Sequence, residues 1–321
     1  MKIGWSLPTM LGDLDRDTVL TWSREIERRG YDTIGFGERI AYRNLELFTV
    51  LSAAAAVTER VRIMSTIVVL PMHSEVWVAK QSATLDVVSG GRYTLGVGVG
   101  GREEDYRALG RDASRRPIRL DAQVATMRRV WAGHPPVEGV DPIGPMPVQT
   151  PIPILSGALG PKATARAAAW ADGIAGFEMD PTVEALTASA TRVRDAWAHA
   201  GRDEPYLMTS FWFALGDDAE AALRAYARSY LAVFGDELAG ASRLPARWRG
   251  SGGCSMRSSR RRRADTTRCN WCRRRPIRRC SIVSMRCSPA LPSLGVRPES
   301  ASDVRLRGTR SGVPPDLVCR G

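Results

Sequence analysis

AKQSATLDVVSGGRYTLGVGVGG, residues 79–101, is the stretch whose reading decides the fold. Ala79, Ala83 and Val87 recur every four residues, the period of a helix with one apolar face. Gly90 and Gly91 end that period, because glycine supplies the left-handed conformation on which helices terminate. Residues 92–99 then form a short apolar run with alternating glycine, the pattern of a buried strand whose backbone is approached closely. The unit is helix, tight turn, buried strand and Gly-rich loop.

The same rhythm extends both ways. Upstream it predicts strands over 2–7, 31–36 and 61–70, and helices over 18–29, 45–58 and 74–88. Asp15 or Asp17 is placed to cap the first helix and Gly30 to stop it. The 61–70 run reads as a parallel strand covered on both faces. Downstream, residues 117–131 predict an amphipathic helix with Ile118, Val124, Met127 and Trp131 on one side. Seven prolines between 133 and 153 mark a long excursion. Strands over 152–156, 173–177 and 206–215 follow, with helices over 163–170, 183–200 and 219–233. Seven strand–helix units in ~230 residues suit a (β/α)8 barrel of the α/β class better than a doubly wound sheet. The eighth unit is missing from the pattern.

The charge shows where the pattern stops. The formal net charge is +12, yet the segment from Ser251 onward holds 17 of the 46 basic residues and 4 of the 34 acidic ones, leaving residues 1–250 at −1. All six cysteines (Cys254, Cys269, Cys272, Cys280, Cys287 and Cys319) lie there too. The expected organisation is a barrel over 1–250 and an Arg/Cys-rich tail over 251–321. That tail reads as a disordered basic extension or, more sharply, as the product of a shifted reading frame. Read from the third base of each codon, residues 271–287 are compatible with LVSPAADPALLDRVDAL, the kind of helix a barrel's last unit needs. Cys269-x-x-Cys272 is half a zinc site without a second pair, so no metal is expected. Arg260 to Arg263 lack the interleaved aromatics of a nucleic-acid module, so no nucleic acid is expected either. Neither a signal-peptide pattern nor an apolar run of about 20 residues is visible, which points to a cytoplasmic protein with no membrane partner.

Gly96-x-Gly98-x-x-Gly101 formally matches a dinucleotide fingerprint, but it follows the fourth strand, and no acid ends a strand about 20 residues later. A backbone-exposed loop at the C-terminal end of a barrel strand is the better reading.

Thr66-x-x-x-Leu70-Pro71, Ala79-Lys80-x-x-Ala83-Thr84-Leu85-Asp86-x-x-Ser89-x-Gly91-Arg92, Gly96-x-Gly98-x-Gly100 and Glu103-x-x-Tyr106 follow in order. Together they resemble the bacterial luciferase-like monooxygenase family, and within it the actinobacterial branch that uses the deazaflavin coenzyme F420. Gly30-Tyr31-Asp32-x-Ile34 ahead of Glu38, Pro153-Ile154-Leu155 with Gly160, and Ala171-Asp172-Gly173 fit as well. The resemblance implies a (β/α)8 barrel that binds F420, or alternatively FMN, at its C-terminal mouth. It further implies hydride transfer with a small organic substrate, and a homodimer. By position it implies a backbone bulge, in the family often a non-prolyl cis peptide, at Thr66 and Ile67 against the cofactor ring. It implies an open loop at Gly98, Gly100 and Gly101, and a phosphate-binding loop at Ser156, Gly157, Ala158 and Gly160.

One departure concerns catalysis. Where many members carry an acid followed by His after strand two, this chain has Glu38-Arg39. Imidazole moves protons near neutral pH and guanidinium does not. Arg39 then either pairs with an anionic group of substrate or cofactor, or forms a rim ion pair with Glu38. Of the three histidines, His73 follows the end of strand three and is expected to face the mouth. Trp5 is assigned either to the substrate side or to the core. Arg39, Arg43, Arg102 and Arg107 around the mouth suit the anionic tail of F420. An FMN-dependent monooxygenase and a catalytically inactive barrel are the competing readings.

Overall fold

A computed structural model describes residues 2–9, 14–179, 181–213, 219–231 and 281–286. Strands β1 (Lys2–Ser6), β2 (Thr33–Phe36), β3 (Arg62–Ser65), β4 (Val68–Val69), β5 (Tyr93–Gly98), β6 (Ile154–Ser156), β7 (Gly173–Ala175) and β8 (Tyr206–Phe213) alternate with helices. The helices are α1 (Arg16–Arg28), α2 (Leu47–Ala56), α3 (Glu75–Val88), α4 (Glu103–Ala108), α5 (Arg116–Trp131), α6 (Pro161–Ala167), α7 (Val183–His199) and α8 (Ala219–Leu231). Successive strands pair in parallel, β1–β2–β3–β5–β6–β7–β8, in registers such as Ile34 opposite Ile63 and Leu95 opposite Ile154. The fold is an α/β barrel. Ile34, Phe36, Ile63, Tyr93, Leu95 and Val97 are fully buried, as parallel strands with helices outside require.

The place of an eighth strand is taken by β9 (Ser281–Arg286), which runs antiparallel to both β8 and β1 and closes the ring. The sequence pattern shows no strand there; a parallel eighth unit is what the shifted reading frame of these codons would encode. The rest of 251–321, with its cysteines and most of its arginines, lies outside the described residues.

Local chemistry explains most boundaries. Asp15 caps α1 by accepting the Thr18 N–H at 2.8 Å, and Glu46 caps α2 through the Phe48 and Thr49 N–H groups. On α5 the buried face is Leu120, Val124, Met127 and Trp131, whereas Ile118 is 67% exposed. Two residues turn a helix by about 200°, so Ile118 and Leu120 cannot share a face.

The strand expected over 61–70 is broken in two. The Thr66–Ile67 peptide is cis, and it separates β3 from β4. Ser65 Oγ bridges the break by accepting the Gly96 N–H at 2.8 Å and donating to Gly96 O at 2.9 Å. The glycines of β5 make room for it. A side chain at Gly96 would collide with the Ser65 carbonyl, and one at Gly98 with Ile67 Cδ1. The GxG spacing thus accommodates a neighbouring strand.

At the N-terminal end of the strands a polar network joins these elements. Arg92 donates to the Ala55 carbonyl in the last turn of α2, to the Thr58 and Val61 carbonyls between α2 and β3, and to Ser89 O. Asp86, fully buried, accepts both the backbone and side-chain N–H groups of Gln149 at 2.8 and 2.6 Å. Gln149 in turn donates to Tyr93 O and accepts from Arg62. This pins the proline-rich excursion, with cis bonds before Pro145 and Pro151, onto α3 and β5.

Candidate active site

At the opposite, C-terminal end of the strands the loops enclose a cavity of about 720 Å³. Active sites of such barrels are built at this end, and the volume lies in the usual range for small-molecule sites. Thr66 and Ile67 form part of its wall, with Gly37 and Gly100 beside them. A side chain at Gly37 would approach Thr66 O within 2.9 Å, and Gly100 has φ 62°. Backbone is therefore presented to the cavity at the break in strand three.

The loop after β2 is held by α4. Asp105 accepts the Ala41 and Ile40 N–H groups at 2.7 and 3.3 Å, which places Glu38 and Arg39 on the cavity wall. Glu38 Oε2 accepts the Val69 N–H at 2.7 Å, and Oε1 lies 2.9 Å from His73 Nε2. The carboxylate therefore braces the loop against the segment just past the break. Arg39 lines the cavity, with its guanidinium 3.9 Å over the Tyr42 ring. Burial pushes its pKa down, and the neighbouring Arg102 pushes it further the same way.

Arg102 is 12% exposed and donates to Tyr230 O at 2.8 Å. The Tyr230 phenol is pushed up by burial. Phe177, Trp212, Tyr226 and Tyr230 form an aromatic wall, with Trp212 at 4.8 Å from both Phe177 and Tyr230. Glu178, Arg192 and Met208 also line the cavity.

Of the residues proposed from sequence, Glu38, Arg39, Thr66, Ile67, Gly100, Gly101, Gly157 and Ala158 line this cavity. Ser156, Gly160 and Gly98 do not; Gly98 faces the Ile67 side chain instead. His73 lies behind Glu38, because the 3-10 turn Leu70–Met72 sends Met72 into the cavity and His73 to its far side. Trp5 packs edge-on against Tyr31 and Phe213, off the cavity. The sequence reading missed the aromatic wall and Asp105. For Asp105 a signal existed, since it lies inside the Glu103-x-x-Tyr106 motif.

Among the described residues no helix is long and apolar enough to cross a membrane, and no group of three or more His, Cys, Asp or Glu is placed to hold a metal ion.

The sequence profile described as luciferase-like monooxygenase matches residues 1–268. An uncharacterised protein of Mycobacterium tuberculosis is 36% identical over 174 residues, which is 50% of this chain and 59% of that protein. The chain thus matches little more than half the length of that relative. An F420-dependent secondary alcohol dehydrogenase, solved with an F420–acetone adduct, aligns over 72% of this chain and 76% of its own, with a TM-score of 0.60 and 22% identity. The oxygenating constituent of 3,6-diketocamphane monooxygenase of Pseudomonas putida, solved with FMN, aligns over 63% of each chain with a TM-score of 0.54 and 17% identity. At such identities the structural matches show the shared fold.

Proposed function

We propose, from the premise that this chain belongs to the luciferase-like monooxygenase family, that it is an oxidoreductase using the deazaflavin F420. The reaction is hydride exchange with a small organic substrate. The observation that carries this reading is one cavity walled by the backbone break at Thr66 and Ile67 and, beside it, by Arg39 and Arg102. The fit is physical. Glycine at Gly37 and Gly100 lets the chain pack directly on Thr66 O and on Val69, where a side chain would collide, so backbone forms this part of the cavity wall, a surface that suits a flat ring. Two guanidiniums suit a ligand that carries phosphate and carboxylate groups.

When bound, the deazaflavin supplies the hydride acceptor or donor, and the protein supplies orientation and shielding. Thr66 and Ile67 would back the ring. Arg39 and Arg102 would hold anionic groups, and attraction to an anion would relieve the repulsion between the two cations. The wall of Phe177, Trp212, Tyr226 and Tyr230 keeps water from the substrate side. FMN on the same barrel is the second reading, favoured by the ring-sized space alone. Equilibrium titration with F420 and with FMN, followed by cofactor fluorescence, separates them. Saturable F420 binding with weaker FMN binding is expected; tight FMN binding without F420 binding would overturn the assignment.

A further inference from the structure

The turn after β4 is a wall between two cavities. Val69 and Met72 line the mouth cavity, while Pro71 and His73 line a second cavity of about 610 Å³ on the other side. One side-chain hydrogen bond joins them, from Glu38 Oε1 to His73 Nε2 at 2.9 Å. The Glu38 side chain is 6% exposed and belongs to the mouth, whereas that of His73 is 23% exposed and belongs to the second cavity. His73 is fixed by its backbone: its N–H donates to Leu70 O at 3.0 Å and its carbonyl accepts from Gln123 Nε2 at 2.9 Å. The other charged groups lining the second cavity are Glu75, Arg111, Asp112 and Arg119. Three of these have partners of their own. Glu75 accepts from Gln123, Asp112 takes the Ser114 N–H and hydroxyl, and Arg119 donates to the Pro71 and Asp112 carbonyls.

We propose that Glu38 and His73 carry protons between the mouth and solvent, with the second cavity as the exit. The proposal rests on the reading of this barrel as a hydride-transfer enzyme. Removing a hydride from a carbon that bears a hydroxyl sends the C–H electron pair to the oxidised cofactor. The O–H pair becomes the second bond of the carbonyl, and one proton is left over. Arg39, beside Glu38 in the chain, does not accept it. Glu38 takes that proton and passes it to Nε2 across the 2.9 Å bond, and the imidazolium loses a proton to solvent in the second cavity. Tautomer exchange with that solvent restores the starting state. Reduction of a carbonyl runs the same path inward. His73 acts through Glu38 and touches no substrate, so its role is to position and recharge the carboxylate.

The first test needs no cofactor. The chain has three histidines, so ring 15N NMR reads the two ring nitrogens of each. In Glu38→Gln the His73 Nε2 signal and the tautomer balance of that ring change, because the carboxylate oxygen 2.9 Å away is replaced by an amide, while the His134 and His199 signals hold. Unchanged His73 signals overturn the proposal. The second test uses the loaded full chain, with F420 reduction by simple secondary alcohols as the readout. His73→Ala loses about 10²-fold or more and imidazole in the buffer, entering the second cavity, restores part of the rate. His73→Gln, which keeps a polar side chain of similar size, shows the loss, a changed pH profile and no rescue. Wild-type rates in His73→Gln, or no imidazole rescue in a His73→Ala protein that still binds F420, overturns the proposal. If FMN binds and F420 does not, the cofactor assignment alone fails, and the same variants are then read on FMN reduction. If no alcohol is turned over, the NMR arm decides.

Discussion

The two ends of the barrel surround their buried arginines differently. At the N-terminal end, burial lowers the pKa of Arg62, and Asp32 and Asp86 push it back up. Burial likewise lowers Arg92, with Glu27 as the largest opposing influence. At the mouth, burial lowers Arg39 and the next influence is a second cation, Arg102, acting the same way. Asp105 opposes that shift, while it and Glu38 also hold backbone N–H groups of the loop and of the chain past the break. At the closed, N-terminal end a carboxylate is the largest influence after burial on each arginine and opposes it, although Arg62 also lowers Arg92. At the mouth the largest influence after burial is a second cation, itself 3.9 Å from Glu104, an arrangement that an anionic ligand would favour.

The sharpest way to break this comparison is to remove one arginine from each end. Arg92→Met removes the donor to the Thr58, Val61 and Ser89 carbonyls and is expected to cost about 2–4 kcal/mol, read as a lower urea midpoint. Arg39→Met is expected to change stability by less than about 1 kcal/mol, or to raise it, while weakening F420 binding at least about tenfold. Equal destabilisation by both would remove the distinction.

Asp86→Asn comes next. It turns an amide NH2 toward a group that donates, at about 2 kcal/mol, and raises protease sensitivity in residues 133–153. Unchanged proteolysis would mean that Asp86 does not hold the excursion. Gly98→Ala forces Ile67 to move and is expected to cost about 1–3 kcal/mol. Adding Ile67→Val should recover part of that loss, since the collision is with Ile67 Cδ1; additive costs would place the strain elsewhere.

The smallest effect is a surface control. The Arg28 side chain, the largest influence, holds the Glu25 pKa down at about 2. A depressed carboxylate stabilises the fold above its unfolded pKa of about 4.3 and loses that contribution as pH falls toward 2. Glu25→Gln should therefore cost under about 1 kcal/mol at pH 7 and still less at pH 3, measured as urea midpoints. A difference that grows on acidification would contradict the assignment.

Much of the closed end was legible in the sequence because its signals are local. Helix period and the Gly90-Gly91 stop need no tertiary information, and the motif residues Asp86 and Arg92 prove to be the braces of that end. The mouth was legible only in part. Thr66, Ile67, Gly100 and Gly157 were named through the family resemblance, and all four line the cavity. Gly98 lies off the cavity: a glycine pattern shows that something comes close without showing what, and here it is Ile67. His73 was expected at the mouth, but a three-residue turn decides which side of the wall it occupies. The aromatic wall gathers residues from a loop, β8 and α8 that no spacing rule connects.

Native-state amide hydrogen exchange with and without F420 tests the central claim most directly, because it reads both ends at once. The account predicts added protection at Gly37 to Arg39, at Ile67 to Val69, at Gly100 to Arg102 and at Gly157 to Leu159, with Tyr93 and Gln149 unchanged. Protection that appears at the closed end, or nowhere on the cavity wall, would contradict it.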